Sequence, residues 1–314
     1  MQKSHTFLVK RYNSNDKIAW DSFVIDAKNG TFLFQRDFME YHNDRFDDYS
    51  LMIFKEDVLI ALLPANFHDN KLYSHQGLTF GGVIFPFNIT HQQEQEVLEC
   101  ILNYLTEKKI TSLTIKTIPE IYYKEASKEN LYHSGKVQYK NMVLALDYNK
   151  PWTIHKTKLK RYRNCKYDFS IKETKNFEEF WEKVLTPRLQ FRHNVKPVHS
   201  LDEINLLSKR FPNEIKQFNI YLEDEILAGI TIFENETVVK SQYGATTEKG
   251  EKTRALDYLF LHLIFKYEKM AKHYFSMGTV TENNELGYNP GLKKQKEELG
   301  CNIYFQDVVN FYQR

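Results

Sequence analysis

Hydrophobic and polar positions follow a strand period and then a helix period over residues 238–300. Residues 238–243 are rich in β-branched side chains and predict a strand, and the small and charged residues 244–252 predict a turn. Residues 253–272 predict a helix with Thr253 as its N-cap. Because this helix is apolar on nearly every side, we expect other elements to cover both of its flanks.

A second strand over residues 273–280 and a final helix complete this strand–turn–helix–strand unit, and the same order occurs earlier in the chain. Residues 54–61 align with residues 221–228, and without a gap residues 74–77 (SHQG) align with residues 241–244 (SQYG). In both copies a predicted helix and a short strand follow. Order and spacing therefore predict a duplication that places two similar α/β domains in tandem.

The composition agrees with two domains and argues against a DNA-binding protein. The chain has 314 residues, of which 42% are hydrophobic and 15% aromatic, enough for two cores. The polar stretch 148–151 is the best boundary, and it divides the chain into domains 1–150 and 151–314. The formal net charge of +2 is too small to indicate a protein that lives on DNA, although it is compatible with a tRNA partner.

Cysteine usage and hydropathy indicate the compartment. The three cysteines show neither paired spacing nor the spacing of metal ligands, which favours reduced thiols. No apolar run reaches the ~18 residues that a membrane span needs, and the N-terminus lacks the apolar core of a signal peptide. The sequence therefore predicts a cytoplasmic protein without a membrane span.

Basic residues are most concentrated in residues 156–167 (KTKLKRYRNCKY), on a predicted helix. This cluster indicates a ligand that bears phosphate, such as a nucleotide-sugar, a CoA tail or a tRNA acceptor stem, with Arg161 and Arg163 as the expected contacts. A solvated helix face is the alternative interpretation. The turn before the helix over 253–272 adds Lys249 and Lys252 at a helix N-terminus, where backbone N–H groups favour an anion.

Two further segments carry candidate substrate contacts. Residues 191–200 (FRHNVKPVHS) form a predicted loop with Arg192 and His193, and we expect this loop to line a cleft. No third ligand is placed near its histidines, so the sequence predicts no metal site. The aromatic-rich segment 30–54 predicts either a wall of an acceptor pocket, with His42 as a polar contact, or a packed helix and hairpin.

Several stretches resemble the FemAB-like branch of the GNAT acyltransferase superfamily: PVHSLDEINLLSKRFPNEI, IYLEDEILAGITIF, SQYGATTEKGEKTRALDYLFLHLI and FSMGTVTENNELGYNPGLKKQKEELG. The run AKNGTFLFQRDFMEYHNDRFDDYSLMIF is similar to the first half of tandem GNAT proteins. The resemblance implies two GNAT-like domains, each a mixed sheet flanked by helices. It also implies transfer of an acyl or aminoacyl group to an amino group of a cell-envelope sugar or peptide precursor, which could be nucleotide-linked.

One departure from the family pattern bears on the acyl donor. GNAT enzymes that use acetyl-CoA usually carry Gln/Arg-x-x-Gly-x-Gly/Ala where the strand meets the central helix, whereas residues 247–252 read TEKGEK. Gly250 is retained between Lys249 and Lys252, but the first position and the second glycine are missing, and Glu251 adds a negative charge. The resemblance thus implies either an acyl-CoA or an aminoacyl-tRNA as co-substrate, with no tightly bound cofactor, and predicts weak CoA binding at this turn.

Catalysis in such enzymes rests on placement of the amine against the acyl carbon and on backbone N–H groups that stabilise the oxyanion. The sequence therefore assigns no catalytic nucleophile. Tyr243 and Gln242, at the end of the predicted strand, are the expected substrate contacts, together with Arg192 and His193. The alternative is a non-catalytic binding or scaffold protein with a degenerate GNAT fold, an interpretation that the altered loop supports.

Overall fold

The structure, a computed structural model, describes residues 7–124 and 130–312. Its contacts divide the chain into two units. Unit 1 comprises Met1–Asn141 and Phe305–Arg314, and unit 2 comprises Met142–Tyr304. The chain thus leaves unit 1 somewhat earlier than the predicted boundary at residue 150, and its last residues return to unit 1, which the sequence did not predict.

The described residues form strands and helices in mixed order. The strands are β1 (Phe7–Arg11), β2 (Asp47–Asp48), β3 (Leu51–Lys55), β4 (Val58–Leu63), β5 (Asn66–His68), β6 (Lys71–Tyr73), β7 (Ser112–Lys116), β8 (Lys136–Asp147), β9 (Phe169–Thr174), β10 (Ile215–Leu222), β11 (Glu225–Glu234), β12 (Val238–Thr246), β13 (Tyr274–Thr279) and β14 (Asn302–Tyr312). The helices are α1 (Lys17–Asp26), α2 (Arg36–Met39), α3 (His91–Glu107), α4 (Lys156–Arg163), α5 (Glu178–Phe180), α6 (Thr186–His193), α7 (Leu201–Arg210), α8 (Glu248–Thr253), α9 (Ala255–Lys269) and α10 (Pro290–Glu297). A π-helical segment over Trp181–Leu185 joins α5 to α6.

Unit 1 contains two sheets. The first sheet has the strand order β1-β3-β4. The strands of unit 1 in the second sheet have the order β2-β5-β6-β7-β14. All neighbouring strands are antiparallel except β6 and β7, which are parallel. The turn between β5 and β6 lies at Asp69 and Asn70, both with positive φ.

Unit 2 has the strand order β9-β10-β11-β12-β13-β8. Its strands are antiparallel except for the parallel pair β12 and β13. Each unit therefore has a series of antiparallel strands, one parallel pair, and then an antiparallel strand contributed from elsewhere in the chain. The shared order and directions confirm the predicted tandem fold.

The two units differ where β11 runs without interruption and unit 1 has the separate strands β4 and β5. Pro64 lies between β4 and β5. Proline has no N–H to donate, so it interrupts the hydrogen-bond ladder at the point between β4 and β5. The corresponding strand of unit 2, β11, is continuous.

Helix α9 confirms the prediction of a helix covered on both flanks. It packs on β10, β11 and β12 and also on α4. Leu259, Leu263, Ile264 and Tyr267 are fully buried in the core of unit 2. The apolar pattern thus fixes the position of this helix between the sheet and α4.

The predicted start of α9 is wrong. Strand β12 continues to Thr246, and the segment predicted as a turn forms the short helix α8, capped by Thr247. Arg254 then adopts φ 62° and separates α8 from α9. Thr253 is therefore the last residue of α8 and not the cap of α9. The threonine that caps a helix in this segment is Thr247, at the start of α8.

Candidate functional site

Strands β12 and β13 separate in unit 2 and leave an unpaired strand edge. They pair only from Val238 opposite Tyr274 to Lys240 opposite Ser276. Strand β12 runs on to Thr246 with β11 as its partner. Beyond Lys240 the other edge of β12 no longer pairs with β13, so backbone groups there can face a ligand.

Helix α8 follows this strand edge and is held by a side-chain cap. The Thr247 Oγ1 accepts a hydrogen bond from the Gly250 N–H at 3.1 Å. A Cβ at position 250 would approach Leu227 O and Thr246 Oγ1 more closely than 3.0 Å. Only glycine fits at this position, and its N–H is already used inside the protein rather than presented to a ligand.

A cavity of about 470 Å³, which we call the first cavity, lies at the end of β12. Residues 244–246 line it, together with residues of α6, α8, α9 and α10. Its charged lining residues are Lys158, Arg188, Arg192, Glu251, Arg254, Asp257, Lys294 and Glu298. The lining is thus rich in cations, most of which come with a nearby carboxylate.

Glu251 binds two arginines of α6. Arg188 Nη2 lies 2.5 Å from Glu251 Oε2, and Arg192 Nη2 donates to Glu251 Oε1. The hydrogen bond from Arg188 and the charges of both arginines lower the pKa of Glu251. Its negative charge therefore does not face a ligand alone, because it holds two guanidinium groups that could otherwise bind phosphate.

Lys158 is a buried lysine that the sequence analysis did not identify. Only 4% of its surface is exposed, and its Nζ lies 2.9 Å from Asp257 Oδ2 and 3.6 Å from Glu298 Oε2. Arg254 Nη2 contacts the same Asp257 oxygen at 2.5 Å. Lys158 lies one helical turn before Tyr162 and therefore on the same side of α4. This spacing was the only sign in the sequence that Lys158 is buried.

A second cavity, of about 280 Å³, shares Lys158, Arg254 and Asp257 with the first. Its other basic lining residues Arg161, Lys166 and Lys252 make no ion pair with any residue of the described ranges. The cavity is also lined by the aromatic residues Tyr162, Tyr167, Phe169 and Tyr258. Aromatic rings beside unpaired cations can bind a base and its phosphates.

The predicted substrate contacts of unit 2 lie in different surroundings. Arg192 lines the first cavity. The Tyr243 Oη accepts a hydrogen bond from the His199 N–H at 3.1 Å, its ring lies 5.2 Å from that of Trp181, and burial raises its pKa to about 12. Gln242 accepts a hydrogen bond from Lys240 Nζ at 2.7 Å. His193 is the last residue of α6.

The predicted phosphate contacts are also divided. Gly250 lines the first cavity, and Arg161 and Lys252 line the second. Lys249 pairs with Glu225 at 2.5 Å and is not among the described lining residues of either cavity. Arg163 is exposed on α4 and is likewise absent from both.

The remaining predicted contact, His42, lies in unit 1. It is 1% exposed, and its ring stacks on Tyr41 and on His75 at centroid distances of 4.1 and 5.1 Å. The neighbouring Phe32, Phe34 and Phe38 are also buried. The structure thus places this aromatic segment in a packed interior.

The described part of the chain contains no group of three or more His, Cys, Asp or Glu side chains arranged to hold a metal ion. Within the same residues, no helix has the length and apolar character to cross a membrane.

Comparison with known proteins identifies the fold. No protein-family model matches the sequence, and no curated protein matches it significantly. The solved structure of FemX matches with a TM-score of 0.68 and 10% identity over 98% of this chain and 97% of that chain. L-PGS from Bacillus licheniformis matches with a TM-score of 0.55 and 13% identity, over 97% and 93% of the two chains.

A tandem GNAT protein from the clavulanic acid biosynthesis pathway matches with a TM-score of 0.50 and 7% identity, over 98% of each chain. At these identities the likeness concerns the fold. All three cover nearly the full length of both chains, which agrees with the duplicated strand order. The chain therefore has the FemAB-like tandem GNAT fold, as the resemblance implied.

Proposed function

We propose that this protein is an N-acyltransferase or aminoacyltransferase that uses the two cavities of unit 2 to bind an acyl donor. One observation carries the proposal. The first cavity contains an open strand edge, and the second, which shares lining residues with it, contains unpaired cations and aromatic rings. The first cavity would take the acyl group and the second the nucleotide end of the donor.

Both candidate donors fit this division of chemistry. An acyl-CoA ends in a phosphorylated adenosine diphosphate, and an aminoacyl-tRNA carries its acyl group on a terminal adenosine. Either would set an adenine ring beside Tyr162 or Tyr258 and phosphates beside Arg161 and Lys252. The protein's own Gly250 hydrogen bond and the pairing of Glu251 make a pyrophosphate at α8 less favourable, which favours the tRNA donor.

The reaction needs positioning more than it needs an acid or base. The acceptor amine attacks the acyl carbonyl, a C–N bond forms, and the C–S or C–O bond to the donor breaks. One proton passes from the amine nitrogen to the departing thiolate or alkoxide, so the donor is released as a thiol or as a ribose hydroxyl. Backbone N–H groups on the open edge of β12 are the expected stabilisers of the transient oxyanion.

The acceptor is proposed to be an amino group of a cell-envelope sugar or peptide precursor, and the protein to act in the cytoplasm. This part of the proposal rests on the sequence resemblance. A scaffold protein with a degenerate fold remains the competing function, because part of the usual anion-binding apparatus is occupied by internal contacts.

A binding screen separates these functions. Thermal-shift and native mass-spectrometric measurements with acyl-CoAs, nucleotide-sugars and charged tRNAs should show binding of at least one activated donor. Arg161→Ala should weaken that binding, whereas Arg163→Ala, on the same helix but outside both cavities, should not. Absence of binding to every donor would leave the scaffold function.

A further inference from the structure

The second sheet of unit 1, with strands β6, β7 and β14, has a polar face that lines a cavity of about 510 Å³. Side chains alternate along its strands: Leu72, Leu113, Ile115, Val309 and Phe311 point into the hydrophobic core. The intervening residues lie on the opposite face because side chains alternate with a period of two. This second face is therefore separate from the packing of the unit.

The register aligns polar side chains in rows across this face. Tyr73 lies opposite Thr114, and Thr114 lies opposite Asn310. In the next row Ser112 lies opposite Tyr312. Hydroxyl and amide groups thus form the floor of the cavity, which is the surface that a polyhydroxylated ligand requires.

Lys116 gives this face a positive charge that the protein does not neutralise. It is partly buried, and it makes no hydrogen bond or ion pair through its Nζ with any residue in the described ranges. Burial lowers the pKa of Lys116. Lys71 also lines the cavity, and the described lining contains no Asp or Glu. An anion beside Lys116 would offset the cost of its burial.

Asn310 adds a second unsatisfied group. It is 7% exposed and its Nδ2 donates to Tyr312 Oη at 3.0 Å, but its Oδ1 has no hydrogen-bond partner among the described atoms. A buried carbonyl oxygen without a donor is uncommon. Exposed Tyr139 and Tyr312 provide ring faces at the same cavity.

We propose that this face of unit 1 is a binding site for an anionic carbohydrate, in which Lys116 binds a phosphate or carboxylate and the hydroxyl and amide groups bind the sugar. The site is independent of the proposed acyl transfer, since all of its described lining residues belong to unit 1, whereas both donor cavities are lined by unit 2. Failure of one proposal therefore leaves the other intact.

Calorimetric titration tests the site with glucose 1-phosphate, glucuronate, uridine diphosphate N-acetylglucosamine, neutral N-acetylglucosamine and inorganic phosphate. We expect at least one anionic sugar to bind with a dissociation constant of about 1 mM or tighter. Glucose 1-phosphate and glucuronate distinguish a phosphate from a carboxylate as the anion. Neutral sugar and inorganic phosphate should each bind at least about tenfold more weakly, because each lacks half of the recognised chemistry.

Lys116→Gln should weaken binding of the anionic sugar by about tenfold or more, and Lys71→Gln, at an exposed lining position, should weaken it to a smaller extent. Lys108→Gln removes a lysine of unit 1 outside the cavity and should have no effect. If Lys116→Gln does not fold, Lys71→Gln alone decides the question. Equal binding by the cavity variants and wild type, or no binding of any anionic sugar, would overturn the proposal.

Discussion

Arg188 Nη2 lies 2.5 Å from Glu251 Oε2, and Arg192 donates to the other oxygen of the same carboxylate. The negative charge of Glu251, which was expected to disfavour CoA, is thus paired with the guanidinium groups of Arg188 and Arg192. Glu251 competes with any incoming anion for two guanidinium groups that line the first cavity. This competition gives the chain a testable means of disfavouring CoA.

Glu251→Gln should therefore raise the affinity for CoA. The substitution removes the charge that holds Arg188 and Arg192 but keeps the side-chain size, and we expect CoA to bind about tenfold more tightly, roughly 1.4 kcal/mol. Isothermal titration calorimetry measures the change. Glu225→Gln, which removes an exposed carboxylate paired with Lys249 outside the cavities, is the matched control and should leave CoA affinity unchanged. Micromolar binding of CoA by the wild type would contradict the competition.

Gly250→Ala should destabilise the protein by about 1–3 kcal/mol, because its Cβ would collide with the Leu227 carbonyl oxygen and the Thr246 hydroxyl. Gly291→Ala is the matched control. It lines the same cavity, and its Cβ would meet only Asn289 Oδ1 at 3.5 Å, an ordinary contact. Urea denaturation of both variants measures the difference. Equal stabilities would show that α8 adjusts to a side chain at position 250.

Arg161→Ala combined with Lys252→Ala should weaken binding of a donor that bears phosphate and change the melting temperature little, since both residues are exposed and make no ion pair with described residues. Arg163→Ala is the control on the same helix. Calorimetry with the donor found by the binding screen, together with thermal denaturation, gives both quantities. A large fall in melting temperature would instead assign these residues a structural role.

His75 should make the protein less stable in acid. Burial, followed by the charge of nearby His42, lowers the pKa of His75 to about 3 from the usual 6.5. Between these values the unfolded chain binds a proton that the folded chain excludes, so stability is fully present above pH 6.5 and is lost as the pH falls towards 3. For one proton the slope is at most about 1.4 kcal/mol per pH unit.

Urea denaturation at pH 7 and pH 5 measures this loss, and His75→Asn should reduce it. Asparagine suits the substitution because it tolerates the left-handed backbone that residue 75 adopts, with φ 64°. His68→Asn, at an exposed position of the same unit, is the control. An equal loss of stability in wild type and His75→Asn would assign the acid sensitivity to other groups.

The order of elements was predictable from the sequence, but several contacts of the site were not. Helix α9 follows from a local apolar pattern and was predicted. The capping box of α7, in which Ser200 and Glu203 bond each other's backbone N–H, follows from an equally local pattern. The Thr247 cap was missed because Thr247 and Thr253 offer the same hydroxyl, and tertiary packing decides which is used.

Long-range pairing explains the other differences. Lys158 meets Asp257 and Glu298, and Arg188 meets Glu251, across separations in sequence that no local period records. The return of β14 to unit 1 has the same cause, since its partner β7 lies far earlier in the chain. A charge run such as residues 156–167 therefore does not show which of its members line a cavity and which face solvent.

The proposed transfer reaction is tested most directly by following a labelled acyl group from donor to amine. The protein is incubated with radiolabelled aminoacyl-tRNAs and acyl-CoAs, each with amino-sugar and peptide-amine acceptors, and amide products are separated from donor hydrolysis. We predict an amide product that forms only with protein and an activated donor, and that falls at least about tenfold with Arg161→Ala and Lys252→Ala combined. Binding of a donor without amide formation across the acceptor panel would contradict acyl transfer and favour a scaffold protein.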